Sequence, residues 1–146
     1  MDGILGTWIA DGENNTDESE FAKFLEMAGV DEEWQKKMKD HNKGMKMIFG
    51  RNGDEWTHTM KTMDDAIIRE NTLVLDKECD IKTVDGRDAK ITIKYKDGKF
   101  HCSTKIKGID DTFISIYELK GDNKLACIIS VPSKDFDGPT MNFTKA

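Results

Sequence analysis

Cysteine is scarce in this sequence, and long apolar runs are absent. The three cysteines are Cys79, Cys102 and Cys127, and none belongs to a Cys-x-x-Cys pair. At least one thiol is therefore unpaired, which favours reduced thiols in a cytosolic compartment over a disulfide framework. There is no apolar leader, and no run approaches the roughly 18 apolar residues of a spanning helix, so we expect a cytoplasmic protein without a transmembrane segment.

Positive charge does not dominate either. The chain has 146 residues, with 22 Lys and Arg against 28 Asp and Glu, and a formal net charge of -6. An acidic protein gains little from counterion release on a phosphate backbone, so we exclude nucleic acid as a partner. The length suits a single domain over residues 1–146. Apolar residues make up only 37%, a balance that a barrel holding something other than side chains would show.

Catalytic and metal-binding signatures are also missing. There is no Ser-His-Asp arrangement, no pair of catalytic carboxylates and no cofactor motif. His58, Glu118 and Cys102 are the groups available for chemistry, which leaves a lipid-modifying enzyme as a minor alternative. His41 falls at a helix end and His101 on an outward strand position, so His58 lacks partners for a metal site. We therefore expect no enzyme activity, no cofactor and no metal.

The clearest pattern that is present lies between Asp88 and Ile106. Apolar and polar residues alternate on both sides of Asp97-Gly98. Period-two alternation about an Asp-Gly predicts a β-hairpin, because these residues tolerate the positive φ of a primed turn. One face is apolar and the other carries lysines, which indicates an antiparallel sheet with a single solvated side.

Similar alternation recurs along most of the chain. Together with the first strand near Trp8, it predicts about ten strands at a spacing typical of an all-β barrel or sandwich. A meander of that length closes most easily into an up-and-down barrel, which removes the exposed sheet edges. The later strands are predicted over residues 45–49, 56–60, 67–75, 78–83, 89–96, 99–106, 112–118, 124–131 and 140–145.

Two short helices interrupt this pattern near the start. Apolar residues at helical spacing predict a helix over residues 21–28, with Gly29 as its stop. Asp31 is the expected N-cap of a second helix that ends near Asp40. The pair is too small for a core of its own, so we expect a helical lid over about 21–40 that lies on the barrel.

Three motifs follow one another along the chain. They are Gly6-Thr7-Trp8, then Phe21-x-x-Phe24-Leu25-x-x-x-Gly29-Val30, and Glu78-x-Asp80 followed by Thr83-x-Asp85-Gly86-Arg87. In their order and spacing they resemble the intracellular lipid-binding proteins, the fatty-acid-binding and retinoid-binding family. The resemblance covers the whole chain, with small insertions before Phe21 and in the last hairpin. It implies a ten-stranded clamshell β-barrel with a helix-turn-helix lid and one internal cavity, and a non-enzymatic role in carrying lipids through cytosol.

The resemblance also raises a question about the ligand's head group. Fatty-acid binders of this family grip a carboxylate with an Arg-x-Tyr pair on the last strand and a second basic or polar residue two strands earlier. Here Met141 and Phe143 stand at the pair, and Glu118 falls near the second position. The usual clamp is therefore expected to be absent, and an ionised Glu118 in the cavity would repel a carboxylate.

Several other polar residues have inward parity, namely His58, Arg69, Asn71 and Thr104. Three interpretations stay open for them. Arg69 could pair with Glu118, because a buried charge needs a partner. Alternatively, Arg69 could take a ligand carboxylate in a different pose, or the group could hold an ordered-water network.

The predicted ligand-binding residues combine inward strand positions with the apolar face of the lid. We interpret Trp8 and Ile91 as core packing instead. The predicted set is Phe21, Phe24, Leu25, Val30, Met47, Trp56, His58, Met60, Arg69, Phe100, Cys102, Thr104, Ile116, Glu118, Ile129, Met141 and Phe143.

The sequence thus favours a monomeric carrier of a hydrophobic small molecule, namely a fatty acid, a retinoid or a related lipid. Transient membrane contact through the helical lid is part of this expectation. The main alternative is a non-carrier relative with a structural or stress-protective role.

Overall fold

The computed structural model describes residues 2–11 and 18–146, and it leaves the side chains of residues 18 and 41–43 undescribed. Most of the acidic loop before Phe21 thus lies outside the described residues. Within them the chain forms ten strands, two α-helices and two short 3-10 turns. The strands are β1 (Gly6–Ala10), β2 (Met45–Asn52), β3 (Glu55–Thr62), β4 (Ile67–Val74), β5 (Glu78–Lys82), β6 (Asp88–Lys96), β7 (Lys99–Ile106), β8 (Thr112–Leu119), β9 (Lys124–Val131) and β10 (Phe136–Lys145).

All ten strands belong to one antiparallel sheet that curls into a nearly closed barrel. Each strand pairs with its neighbour in the chain, except that β4 and β5 do not pair and β1 pairs with β10. The sheet order is therefore β4-β3-β2-β1-β10-β9-β8-β7-β6-β5. The predicted ten-stranded up-and-down barrel is confirmed.

The central hairpin forms as predicted. Asp97 and Gly98 have φ angles of 54° and 76° between β6 and β7, which are the two positive values of a primed turn. Lys96 and Lys99 are opposite each other at the end of the ladder, so the turn sets the register of both strands. Ile93 and Cys102 are then also opposite each other, and both are buried.

The last strand is longer than predicted. We expected it over residues 140–145, and it begins at Phe136. Phe136 and Asp137 already pair with β9, and the register then shifts between Asp137 and Thr140. The irregularity falls at Gly138-Pro139, where proline has no N–H for the ladder and the alternation is lost.

The helices are α1 (Glu18–Met27) and α2 (Glu32–Lys43). The first begins three residues earlier than predicted and the second ends three residues later than predicted. Gly29 has a φ of 70° and ends α1, with its N–H bonded to the Glu26 carbonyl and the Val30 N–H bonded to the Leu25 carbonyl. These two bonds are the Schellman pattern that glycine favours. Asp31 caps α2 as predicted, accepting from the Trp34 N–H at 2.9 Å.

The open edge between β4 and β5 is bridged by a side chain. The Asn71 amide nitrogen donates to the Lys82 carbonyl, and its oxygen accepts from the Lys82 N–H, both at 3.2 Å. Asn71 thus reproduces the two hydrogen bonds that a paired residue would make in a ladder. Its parity is the predicted one, but its side chain crosses the gap rather than lining the interior.

We predict that Asn71→Ala loosens this edge. Losing both hydrogen bonds should lower the free energy of unfolding by about 1 kcal/mol and speed hydrogen exchange of the Lys82 amide. Thr72→Ala, at the exposed neighbouring position, is the control. Unchanged protection of Lys82 in Asn71→Ala would contradict the bridging role.

Candidate ligand-binding cavity

The barrel encloses a hollow interior. Inward side chains and the lid surround a cavity of about 240 Å³, many times the roughly 10–15 Å³ needed for one buried water. Most of its wall is apolar. The residues lining it are Ile4, Phe21, Phe24, Leu25, Ala28, Val30, Met38, Met45, Met47, Phe49, Trp56, Thr57, His58, Met60, Arg69, Leu73, Leu75, Ile81, Thr83, Val84, Asp85, Arg87, Ile91, Ile93, Phe100, Cys102, Thr104, Ile106, Phe113, Ser115, Tyr117, Cys127, Ile129, Met141 and Phe143.

The lid closes one side of this cavity. Phe21, Phe24 and Leu25 on α1 and Met38 on α2 belong to the wall. The Phe24 ring meets the edge of Phe113 on β8, with centroids 5.9 Å apart. This contact packs α1 against β8, so α1 covers this side of the cavity.

A charged pair lies where the lid meets the β5–β6 turn. Arg87 Nε donates to Asp85 Oδ2 at 2.9 Å, and both residues border the cavity. The Arg87 guanidinium also lies beside Gly29, where an added Cβ would be only 3.3 Å away. Because Gly29 has no side chain, the Arg87 guanidinium can pack against the end of α1.

All the predicted site residues line the cavity except Ile116 and Glu118, whose predicted inward placement is wrong. Phe100 is paired with Tyr117 and Cys102 with Ser115 across the β7–β8 ladder. Directly opposite residues share a face, so Tyr117 and Ser115 point inward in place of their neighbours. Ile91, interpreted above as core packing, also lines the cavity, whereas Trp8 is fully buried outside it.

Glu118 consequently lies on the outer face of β8. Its carboxylate is 3.2 Å from Lys120 Nζ and 3.8 Å from Lys99 Nζ. It neither repels a ligand inside the cavity nor neutralises Arg69, and the predicted alternative of an Arg69–Glu118 pair is wrong. The error arose because β8 carries apolar residues on both parities, so the alternation does not show which face of the strand points inward.

A small polar and aromatic cluster interrupts the apolar wall. Arg69 on β4 contacts His58 on β3, with Nη2 3.3 Å from Nδ1. Phe49 on β2 stacks on the imidazole, with centroids 4.8 Å apart and planes 10° apart. Tyr117 approaches from β8, with its ring centroid 5.7 Å from that of Phe49 and 6.3 Å from that of His58. The sequence analysis did not predict Tyr117 and Phe49 as site residues.

Burial controls the protonation of this cluster. Burial, and secondarily the Arg69 charge, lowers the pKa of His58 to about 3, so the imidazole is neutral at physiological pH. Burial also lowers the pKa of Arg69 and raises the pKa of Tyr117. Burial raises the pKa of the Cys102 thiol and raises that of Cys127 to about 12. These thiols are therefore not nucleophilic thiolates near neutral pH.

Two further features of the described chain bear on its chemistry. No cluster of three or more His, Cys, Asp or Glu side chains suited to a metal ion occurs among the described residues. In the same residues, neither α1 nor α2 has the length and apolar character needed to cross a membrane.

Comparison with solved structures places this barrel among known folds. No protein-family model matches the chain. It is similar to Echinococcus granulosus fatty-acid-binding protein 1, with a TM-score of 0.81 at 19% identity, covering 100% of this chain and 99% of that one. It is also similar to the apo lipid binding protein 8 of Caenorhabditis elegans, with a TM-score of 0.79 at 17% identity over 100% and 97%.

A third structure carries a ligand. The fatty acid binding protein of Schistosoma mansoni, in complex with arachidonic acid, matches with a TM-score of 0.77 at 18% identity, covering 100% of this chain and 98% of that one. The chain therefore has the fold of the intracellular lipid-binding proteins, as its sequence motifs indicated.

We predict that His58 makes the protein acid-sensitive. The unfolded chain takes up a proton at this histidine below its ordinary pKa of 6.5, whereas the folded protein does so only near 3. The free energy of unfolding should therefore fall by about 1.4 kcal/mol per pH unit as pH drops from 6 to 4 on this account. His58→Gln should show a correspondingly shallower fall in urea unfolding across this range. Equal slopes in both proteins would contradict the neutral buried imidazole.

Proposed function

We propose that this protein binds and carries a hydrophobic small molecule, namely a fatty acid, a retinoid or a related lipid, in the barrel cavity. The observation that supports it is the hollow, largely apolar interior beneath a helical lid. Apolar space of this size inside a fold is typical of a ligand site, since a solid core would be more stable.

The apolar wall provides enough free energy for such binding. Each buried methylene contributes roughly 0.8 kcal/mol, so a long acyl chain offers about 10 kcal/mol. Micromolar affinity corresponds to roughly 8 kcal/mol, and ordering the chain consumes part of the difference. Methionines at the wall, such as Met47, Met60 and Met141, adapt readily to a mobile tail.

A carrier role is favoured over catalysis by the state of the polar groups in the cavity. General bases and nucleophiles work best with a pKa near the operating pH. The pKa of His58 lies far below the operating pH, and the pKa of the Cys127 thiol lies far above it. The similar structures bear the names of fatty-acid or lipid binding proteins, one of them with arachidonic acid, which supports the same role. Cytoplasmic location, a monomeric state and membrane contact through the lid stay predictions.

Native mass spectrometry and a filled-cavity variant test this function. Purified protein should retain a lipid-sized molecule and bind a fluorescent fatty-acid analogue. Ser115→Trp fills the cavity and should weaken that binding about tenfold or more. Ser103→Trp, on the opposite face of the sheet next to this site, is the matched control and should bind normally. No retained lipid together with no analogue binding would favour the structural or stress-protective alternative.

Release kinetics should depend on the lid. Phe24→Ala removes the ring contact with Phe113, so α1 should open more readily and release the fluorescent analogue about tenfold faster in stopped-flow measurements. Lys23→Ala, at an exposed position of the same helix, should leave release unchanged. Equal release rates in the wild type and Phe24→Ala would show that the ligand leaves by another route.

A further inference from the structure

We propose that Arg69 and His58 form a head-group site for a carboxylate, on β3 and β4 rather than on the last strand. This inference deepens the proposed function and depends on it. The ligand class it names is a long-chain carboxylic acid, in preference to the alcohol or ester of the same chain.

The first observation is a half-buried cation at the cavity wall without a counter-ion. Among the described residues Arg69 makes no ion pair, and its Nε is buried without a hydrogen-bond partner. Asp85, the carboxylate that borders the cavity, is already paired with Arg87. Burying an unpaired charge is costly unless a partner arrives. The cavity wall therefore has one positive charge in excess near β4.

The second observation is the tautomer of His58. A guanidinium has only donors, so the contact of Arg69 Nη2 with His58 Nδ1 requires Nδ1 to accept. In a neutral imidazole the proton is then on Nε2. That atom is also buried without a partner. Two N–H donors, one on each residue, thus lie unused in the same cluster.

A carboxylate meets both requirements at once. It supplies one negative charge for the guanidinium and two oxygens for the two donors. A hydroxyl could accept from a donor but would leave the charge uncompensated. A phosphomonoester would bring close to two negative charges to a single cation, which leaves one of them uncompensated.

The other described residues of the wall offer no competing site for a ligand's negative charge. From β10 the cavity receives Met141 and Phe143, both apolar. On β8, Tyr117 and Ser115 contribute hydroxyl groups without charge. Within the described part of the chain, Arg69 is therefore the cation at the wall that has no carboxylate beside it.

Competition against a fluorescent probe tests the assignment. Oleic acid and oleyl alcohol are titrated at neutral pH into the wild type and Arg69→Met. Wild type should bind the acid about tenfold or more tighter than the alcohol, the usual value of a charge-assisted contact. Arg69→Met should lose this preference by weakening the acid and leaving the alcohol unchanged. Lys94→Met, which removes an exposed outer charge on β6, should retain the preference.

A second measurement guards against a folding defect. Without ligand, Arg69→Met should melt at the same temperature as the wild type or higher, because it removes a half-buried charge that has no ion-pair partner among the described residues. Oleic acid should then raise the melting temperature of the wild type more than that of the variant. Equal affinities for acid and alcohol in the wild type, or an unchanged preference in Arg69→Met, would overturn the site while leaving the carrier function intact.

Two other outcomes also overturn the proposal. Tighter binding of oleoyl lysophosphatidic acid than of oleic acid, lost in Arg69→Met, would assign the site to a phosphate. Failure of the acid and the alcohol alike to displace the probe from the wild type would overturn both the site and the proposed function.

Discussion

A ring of ten strands is too wide for its inward side chains to fill, even though some of them meet across it. Eight strands leave an interior that side chains just fill, and the diameter grows with strand number. Here the ring runs from β4 round to β5, with the last gap bridged by Asn71. The cavity follows from this geometry, since residues as large as Trp56 and Phe100 line it without closing it. The lid and the polar cluster matter because that space exists.

How well the sequence predicts each strand depends on how unequal its two faces are. In β6 and β7 lysines alternate with apolar residues, so the hairpin and its inward face were predicted correctly. In β8 both parities are apolar, and the inward face was assigned wrongly at Ile116 and Glu118. The missing information was the pairing of Tyr117 with Phe100, which is a long-range property of the ladder. Similarly, the break in alternation at Gly138-Pro139 led to a predicted start of β10 that is four residues too late.

The polar cluster shows a second limit of the same kind. His58 and Arg69 could be predicted to point inward, because both lie on strands with clear alternation. Their contact with each other depends on the β3–β4 register, and the approach of Tyr117 depends on the curvature that brings β8 across from β2. Alternation identifies which residues face inward. It does not identify which of them meet across a closed barrel.

The cavity and the polar cluster both lower the stability of the protein in the absence of a ligand. An empty apolar space loses packing energy, and the unpartnered donors of Arg69 and His58 lose hydrogen bonds that water would otherwise provide. These costs fall on the empty protein. A ligand that fills the space and accepts from both donors removes them, and ligand binding then adds to the free energy of unfolding by mass action. The same groups thus lower the free energy of unfolding without a ligand and would raise it with one. This contrast favours the ligand-bound state.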